Sequence, residues 1–297
     1  MTGKPPPRSR ASALGSLLRV LVFAYDGSLN DDWVAHYAAR FAANTDARRL
    51  HLVHVHDADG PSAHVPDRLA RIAAECAVLG VGLATQVVAR GAADVASRIL
   101  DLTPPGATLV AGARMRPRAR ALLAGTVSAR LLDARRVSVI AIRVVHPGAL
   151  GQPGRVLLPV ADRAGFAAGA LPLLRLLGPD LDRLHVMLIR EVSRLRARLE
   201  STEALQRLLA DGHRRLALIE DELRVGLAPH LPMLESSVVV APDAAHEIAL
   251  QAARHRSRLI CLDADAPLPT GRLMAGDPLE RVLREAPADV AVYRSGP

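Results

Sequence analysis

The stretch Arg19-Val20-Leu21-Val22-Phe23-Ala24-Tyr25, closed by Asp26-Gly27-Ser28, decides the fold class. Its apolar run has no polar alternation, which predicts a strand covered on both faces. Asp-Gly-Ser then supplies turn chemistry. Asp31 to Asn44 spaces Trp33, Val34, Tyr37, Ala38 and Phe41 at helical intervals. The same signature returns 136 residues later as Arg155-Val156-Leu157-Leu158-Pro159-Val160-Ala161 followed by Asp162. Arg49 to His56 corresponds to Arg183 to Arg190, and Ala124-Gly125-Thr126 through Leu132 to Ala275-Gly276-Asp277 through Leu283. Val137 to Arg143 matches Asp289 to Arg294. Segments recurring in the same order imply an internal duplication.

The boundary falls in the Pro- and Gly-rich stretch 147–154. Residues 1–18, with Pro5-Pro6-Pro7, read as a flexible leader, 19–146 as a first domain and 155–297 as a second. Strands are expected near 19–25, 49–56, 82–89, 107–112 and 137–144, then near 155–161, 183–190, 234–241, 257–262 and 288–294. Short apolar strands alternating with helices predict two doubly wound, open, parallel five-stranded α/β sheets. Residues 191–230 lengthen the second half, with Leu195, Leu199, Leu205, Leu208, Leu209, Leu216, Ile219 and Leu223 on one helical stripe. That stripe reads as packing against the sheet or the other half.

Composition narrows the function. Half of the 297 residues are apolar and 23% are charged, enough for packed cores and unlike a disordered chain. No run reaches the ~18 apolar residues of a membrane helix, so a cytoplasmic protein without a membrane partner is expected. Cys76 and Cys261 show no Cys-x-x-Cys spacing and no Cys/His clustering, which supports neither a disulfide scaffold nor a structural zinc site. The formal net charge of +8 belongs entirely to the first half. Residues 1–150 carry 19 basic and 11 acidic side chains, the remainder 19 of each. Much of the excess lies in Arg114, Arg116, Arg118 and Arg120. Arginine suits phosphate or carboxylate contact. With only 2% aromatics, however, a base-stacking nucleic-acid surface is not expected.

The segment Val110-Ala111-Gly112-Ala113-Arg114-Met115, continuing to Gly125-Thr126-Val127, follows a predicted strand and leads into a helix. Gly125 permits close backbone approach, Thr126 offers a hydroxyl, and free N–H groups at a helix start favour an anion. The segment lacks the Gly-Lys-Ser/Thr ending of a Walker A loop and is not Gly-x-Gly-x-x-Gly. In an open sheet the ligand belongs beyond the carboxyl ends of the strands, where Asp26 also stands.

Together these residues resemble the universal stress protein family in tandem form, over roughly 19–144 and 155–294. ATP-binding members carry G-x2-G-x9-G followed by Ser or Thr after the fourth strand, and an aspartate ending the first. The resemblance implies an adenine nucleotide alpha hydrolase-like fold, strand order 3-2-1-4-5, with the halves packed as a pseudo-dimer near their last strands. It also implies a cofactor site in which Ala24, Tyr25, Asp26 and Val55 surround adenine and ribose. Gly112, Arg114, Met115, Gly125, Thr126 and Val127 would follow the ribose and phosphates. Met115 stands where the pattern has its second glycine, and a side chain there would crowd the phosphate path. The arginines would compensate or select another anion.

In the second half, aligning Gly276 with Gly125 puts Asp263 and Ala266 on the first two glycine positions and Asp277 on the hydroxyl position. A carboxylate at a helix start is an ordinary cap and opposes a phosphate. Enzyme readings find little support. Ser28, Ser128 and Ser138 lack a nucleophile elbow, and His51, His54 and His56 read as satisfied polar residues rather than a metal site. Asp162, Asp263 and Asp265 read as caps, and Cys76 as a core residue. No catalytic and no metal-ligating residue is assigned. The expected function is a stress-response regulatory protein that binds ATP, ADP, AMP or a related small anion in its first domain, with Mg2+ only alongside the nucleotide, and signals through conformation or partners. Slow ATP hydrolysis and further homo-oligomerisation remain open. The alternative is a ligand-free interaction module with both sites degenerate.

Overall fold

Strand β1 (Leu21–Tyr25) is buried at every residue and pairs in parallel with β2 (Arg49–His56) and β4 (Thr108–Gly112). In this computed structural model residues 20–57, 60–113, 126–160, 166–192, 202–265 and 278–297 are described. Helix α1 (Leu29–Ala43) begins where Ser28 caps it, its Oγ accepting from the Asp31 N–H at 3.2 Å. Of the expected stripe the helix buries Val34, Tyr37, Ala38 and Phe41, at i, i+3, i+4 and i+7, while Trp33 is only half-buried. The remaining elements of the first half are α2 (Val65–Val78), β3 (Gly82–Ala89), α3 (Val95–Leu102), α4 (Val127–Ala134) and β5 (Ser138–Arg143). The second half runs β6 (Gly154–Val160), α5 (Phe166–Leu177), β7 (Leu181–Glu191), α6 (Thr202–Leu227), β8 (Met233–Ala241), α7 (Ala244–Arg254), β9 (Leu259–Asp263), α8 (Pro278–Glu285) and β10 (Asp289–Arg294).

Strand order is β3-β2-β1-β4-β5 in the first half and β8-β7-β6-β9-β10 in the second, each 3-2-1-4-5. Within each half every pairing is parallel. The two parallel five-stranded units meet at their last strands as the expected pseudo-dimer, but as one continuous sheet rather than two. β5 and β10 pair antiparallel, Ile142 opposite Ala291 and Val139 opposite Arg294, which fuses the halves into one ten-stranded sheet. The physical reason is the edge. Both last strands are short, apolar and buried, and an unpaired edge of that kind leaves buried N–H and C=O groups without partners. Because the junction is antiparallel, the carboxyl ends of the first half's strands point the same way as the amino ends of the second half's.

Helices cover both faces. Phe23, Tyr37, Phe41, Leu158, Leu174 and Leu223 belong to the layer under α1, α2, α5 and α6. Val22, Leu109, Leu131, Ile248, Ile260 and Val290 belong to the layer under α3, α4, α7 and α8. From the long segment 191–230, α6 buries Leu216, Ile219 and Leu223 against the second sheet half. Leu195 and Leu199 lie outside the described residues.

Polar groups fasten the seam. The Tyr37 hydroxyl donates to Asp289 Oδ2 at 2.7 Å, and Asp289 Oδ1 accepts from the Val145 and His146 N–H groups at 2.6 and 2.8 Å. Asp289 is fully buried, and all three donors come from the first half. Arg40 pairs with Asp180 at 3.0 Å, and Asn44 Nδ2 donates to the carbonyls of Leu176 and Leu177, closing the end of α5. Arg294 returns the tie, donating to Leu132 O and Asp133 at 2.9 and 3.0 Å.

Candidate functional site

The expected site lies where the order of the first sheet half reverses, between the carboxyl ends of β1 and β4. Ala24 pairs with Ala111 there, and Gly112 ends β4. Asp26 leaves β1 exposed, its Oδ1 accepting from the Ser28 N–H at 2.8 Å. Gly27 takes φ +81, a left-handed turn that suits glycine. The Asp26 N–H donates to Asp31 Oδ2 at 2.8 Å.

Asp31 is the residue the sequence reading did not assign. It lies in the first turn of α1, is 2% exposed, and also accepts from Asn30 Nδ2 at 3.3 Å. Its carboxylate rests against the bare Cα of Gly112. A Cβ on Gly112 would collide with Asp31 Oδ1 and come within 2.7 Å of Asn30 Nδ2. A side chain on Gly112 would therefore force the Asp31 carboxylate and the Asn30 amide to move. In sequence, Asp31-Asp32 reads as ordinary first-turn charge. The unused signal was the pairing of a helix-start acid with a glycine at the fourth strand's tip.

The other expected residues divide. Ala24 and Val55 face the layer of α3 and α4. Tyr25 faces the opposite layer, where its hydroxyl donates to Asp32 at 2.7 Å and Arg68 holds the second oxygen of Asp32 at 2.6 Å. Burial, then the Asp32 hydrogen bond, pushes the Tyr25 phenol well above its usual range. The Tyr25 ring thus does not join Ala24 and Val55, and its carbonyl accepts from His54 Nδ1 at 2.8 Å. Thr126 caps α4, its Oγ1 accepting from the Ala129 N–H at 3.2 Å, and Val127 opens that helix exposed. Arg114, Met115 and Gly125 lie outside the described residues, as do Arg116, Arg118 and Arg120.

The second half repeats the arrangement with its parts exchanged. Asp263 ends β9, the position of Gly112, and its Oδ1 accepts from the Asp265 N–H at 2.8 Å. A Cβ on Gly169, in α5, would collide with Asp263 Oδ2. Asp162, Ala266, Gly276 and Asp277 lie outside the described residues. Each switch point thus holds one carboxylate against one glycine. In the first half the helix supplies the acid, and in the second the strand does.

Three further candidates have the following surroundings. His56 Nδ1 meets the Asp57 carbonyl at 2.7 Å. Cys76 is buried in the core, its thiol pushed up to about 11 by burial and then by Glu75. Cys261 is also buried, and burial pushes its thiol further up. Among the described residues no helix is long and apolar enough to cross a membrane.

No protein-family model and no curated protein matches the sequence. Solved structures do. A universal stress protein from Archaeoglobus fulgidus is similar at 17% identity, covering 94% of this chain and 99% of that one, with a TM-score of 0.61. A putative universal stress protein from Pseudomonas aeruginosa is similar at 15% identity, covering 94% of each chain, with a TM-score of 0.58. The cytoplasmic domain of a prokaryotic cation chloride cotransporter is similar at 13% identity, covering 93% of this chain and 95% of that one, with a TM-score of 0.55. These likenesses, spanning nearly the whole chain, establish a duplicated universal-stress-protein-like α/β fold.

Proposed function

We propose that the chain is a stress-response regulatory protein of two universal-stress-like domains, 19–146 and 155–297, acting through conformation and partners rather than through bare ATP. The observation that carries this reading is the buried Asp31 carboxylate against Gly112. A phosphate brought beside such a carboxylate meets like charge, which opposes its binding. Asp263 against Gly169 supports the same conclusion for the second half. Both crevices are then ligand-free, and the joined halves present a fixed interaction surface. We assign no catalytic residue.

A second reading keeps an adenine nucleotide in the first half together with Mg2+, which Asp26 and Asp31 would hold and which would offset the phosphate charge. Two observations favour it: Thr126 caps α4 with its hydroxyl, and Asp26 is exposed at the end of β1. Calorimetric titration with ATP, ADP and AMP, with and without Mg2+, separates the two. On the first reading the native chain gives no saturable heat with any nucleotide in either condition, and Asp31→Ser gains ATP binding. Binding that appears only with Mg2+ establishes the second reading. Tight metal-free binding by the native chain overturns both.

A further inference from the structure

His185, Glu235 and His255 gather at the amino-terminal end of the second sheet half, on the layer of α7. They are the one such group among the described residues whose ligand atoms all lie within 4.8 Å of one another. His185 is on β7 and directly faces Glu235 on β8, while His255 follows the last turn of α7. His185 Nδ1 and His255 Nδ1 lie 3.7 and 3.9 Å from Glu235 Oε2. The imidazoles stack with centroids 3.8 Å apart. Beside them is a cavity of about 110 Å3 whose lining includes Arg155, Arg183 and Ser257.

The decisive atom is His185 Nδ1. The residue is 6% exposed, and this nitrogen has no hydrogen-bond partner. Its other nitrogen, Nε2, meets Ser237 Oγ at 2.9 Å. If Nε2 carries the proton and donates to Ser237, the Nδ1 lone pair is left aimed at Glu235 Oε2. This is the outer hydrogen bond that fixes a ligating imidazole. Arg183 is engaged on the other carboxylate oxygen, Oε1, at 3.1 Å, which leaves Oε2 to the histidines. The carboxyl end of α7 adds partial negative charge beside His255.

We propose that His185, Glu235 and His255 bind a divalent transition-metal ion of the zinc class. Two imidazoles and one carboxylate select such an ion over magnesium or calcium. Tetrahedral ligands about 2.0–2.2 Å from the ion stand roughly 3.4 Å apart, so atoms that now lie within 4.8 Å of one another must close in and the stacked rings must turn apart to converge on it. The fourth position opens on the cavity. The duplication supplies an internal control. His51 occupies the place of His185 in the first half, but it faces Ala84 where His185 faces Glu235. The chain ahead of β4 there reads Thr103-Pro104-Pro105-Gly106, without an imidazole.

The test is titration of the chelator-treated full chain with ZnCl2 by calorimetry and with CoCl2 by visible absorption. One zinc per chain is expected, with the intense visible bands of tetrahedral cobalt. Glu235→Gln and His255→Ala should each weaken binding at least a hundredfold, and Ser237→Ala about tenfold. His51→Gln should leave it unchanged. Glu235→Gln keeps the shape of a part-exposed side chain on an edge strand, so it decides the matter even if His255→Ala unfolds. The absence of saturable binding by the native chain, or a site that survives Glu235→Gln unaltered, overturns the proposal.

Discussion

The two switch points solve one packing problem in opposite ways. In the first half Asp31 reaches from α1 into the space left by Gly112 on β4; in the second Asp263 reaches from β9 into the space left by Gly169 on α5. The volume and the charge are alike, and the element carrying the acid is exchanged. The lesson is that the crevice tolerates one carboxylate and one absent side chain. It does not specify which element supplies which, so neither sequence motif is legible without the other.

The largest expected effect comes from breaking that complementarity. Gly112→Asp places a second carboxylate in the space of the first and should cost about 4 kcal/mol in urea unfolding, from overpacking and like charge. Adding Asp31→Gly reproduces the second half's arrangement and should recover most of the loss, less about 1 kcal/mol for glycine in a helix. Purely additive costs in this cycle would show that the two residues do not share the space.

The seam offers a second comparison. β5 opens on Ser138 and β10 on Asp289, and each accepts N–H groups from the chain just beyond the other strand. Ser138 takes one, from Gly296 at 3.1 Å, whereas Asp289 takes two and the Tyr37 hydroxyl as well. Asp289→Ala orphans three donors and should cost about 3 kcal/mol, against about 1 kcal/mol for Ser138→Ala. Equal losses would make the seam symmetric. Burial, with Asp289 next, raises the Tyr37 phenol far above its ordinary value, so Tyr37 stays a donor across the working pH range.

Smaller effects distinguish the edges. The His185 pKa is lowered in the folded chain, by burial and then by His255. The unfolded chain therefore takes up a proton more readily. The stability this contributes is whole above pH ~6.5 and declines as pH falls through the folded value. In metal-free buffer, His185→Gln should flatten the fall in urea midpoint between pH 7 and 5; an unchanged slope refutes the assignment. Arg40→Ala, at a partly exposed pair with Asp180, should cost only about 0.2–1 kcal/mol, and a loss several times larger would mean that the seam depends on this pair.

Strand bounds were legible almost to the residue, even where the run is interrupted by polar residues or the strand is largely exposed, as β3 is. β2 and β3 span 49–56 and 82–89, the expected bounds, and β7 exceeds its expected 183–190 by only two residues before and one after. The stripe on α1 was equally plain. Such patterns are local, since burial on both faces of a strand or along one face of a helix is written in period and composition. The duplication was visible for the same reason, as short runs returning in order.

The candidate sites were less legible because their members are distant in sequence. Asp31 and Gly112 meet across 81 positions, and His185 and His255 across 70. The amino-acid sequence by itself determined the strands, the helices that cover them, the repeat and the parallel pairing within each half, while the order 3-2-1-4-5 was implied by the family resemblance. Tertiary structure alone decided the antiparallel junction of β5 with β10, the exchange of acid and glycine between the halves, and the convergence of two imidazoles on Glu235. The first group follows from where each residue must hide its apolar surface. The second depends on which polar groups meet once that surface is hidden, and buried polar groups are stable only beside partners that long-range packing delivers.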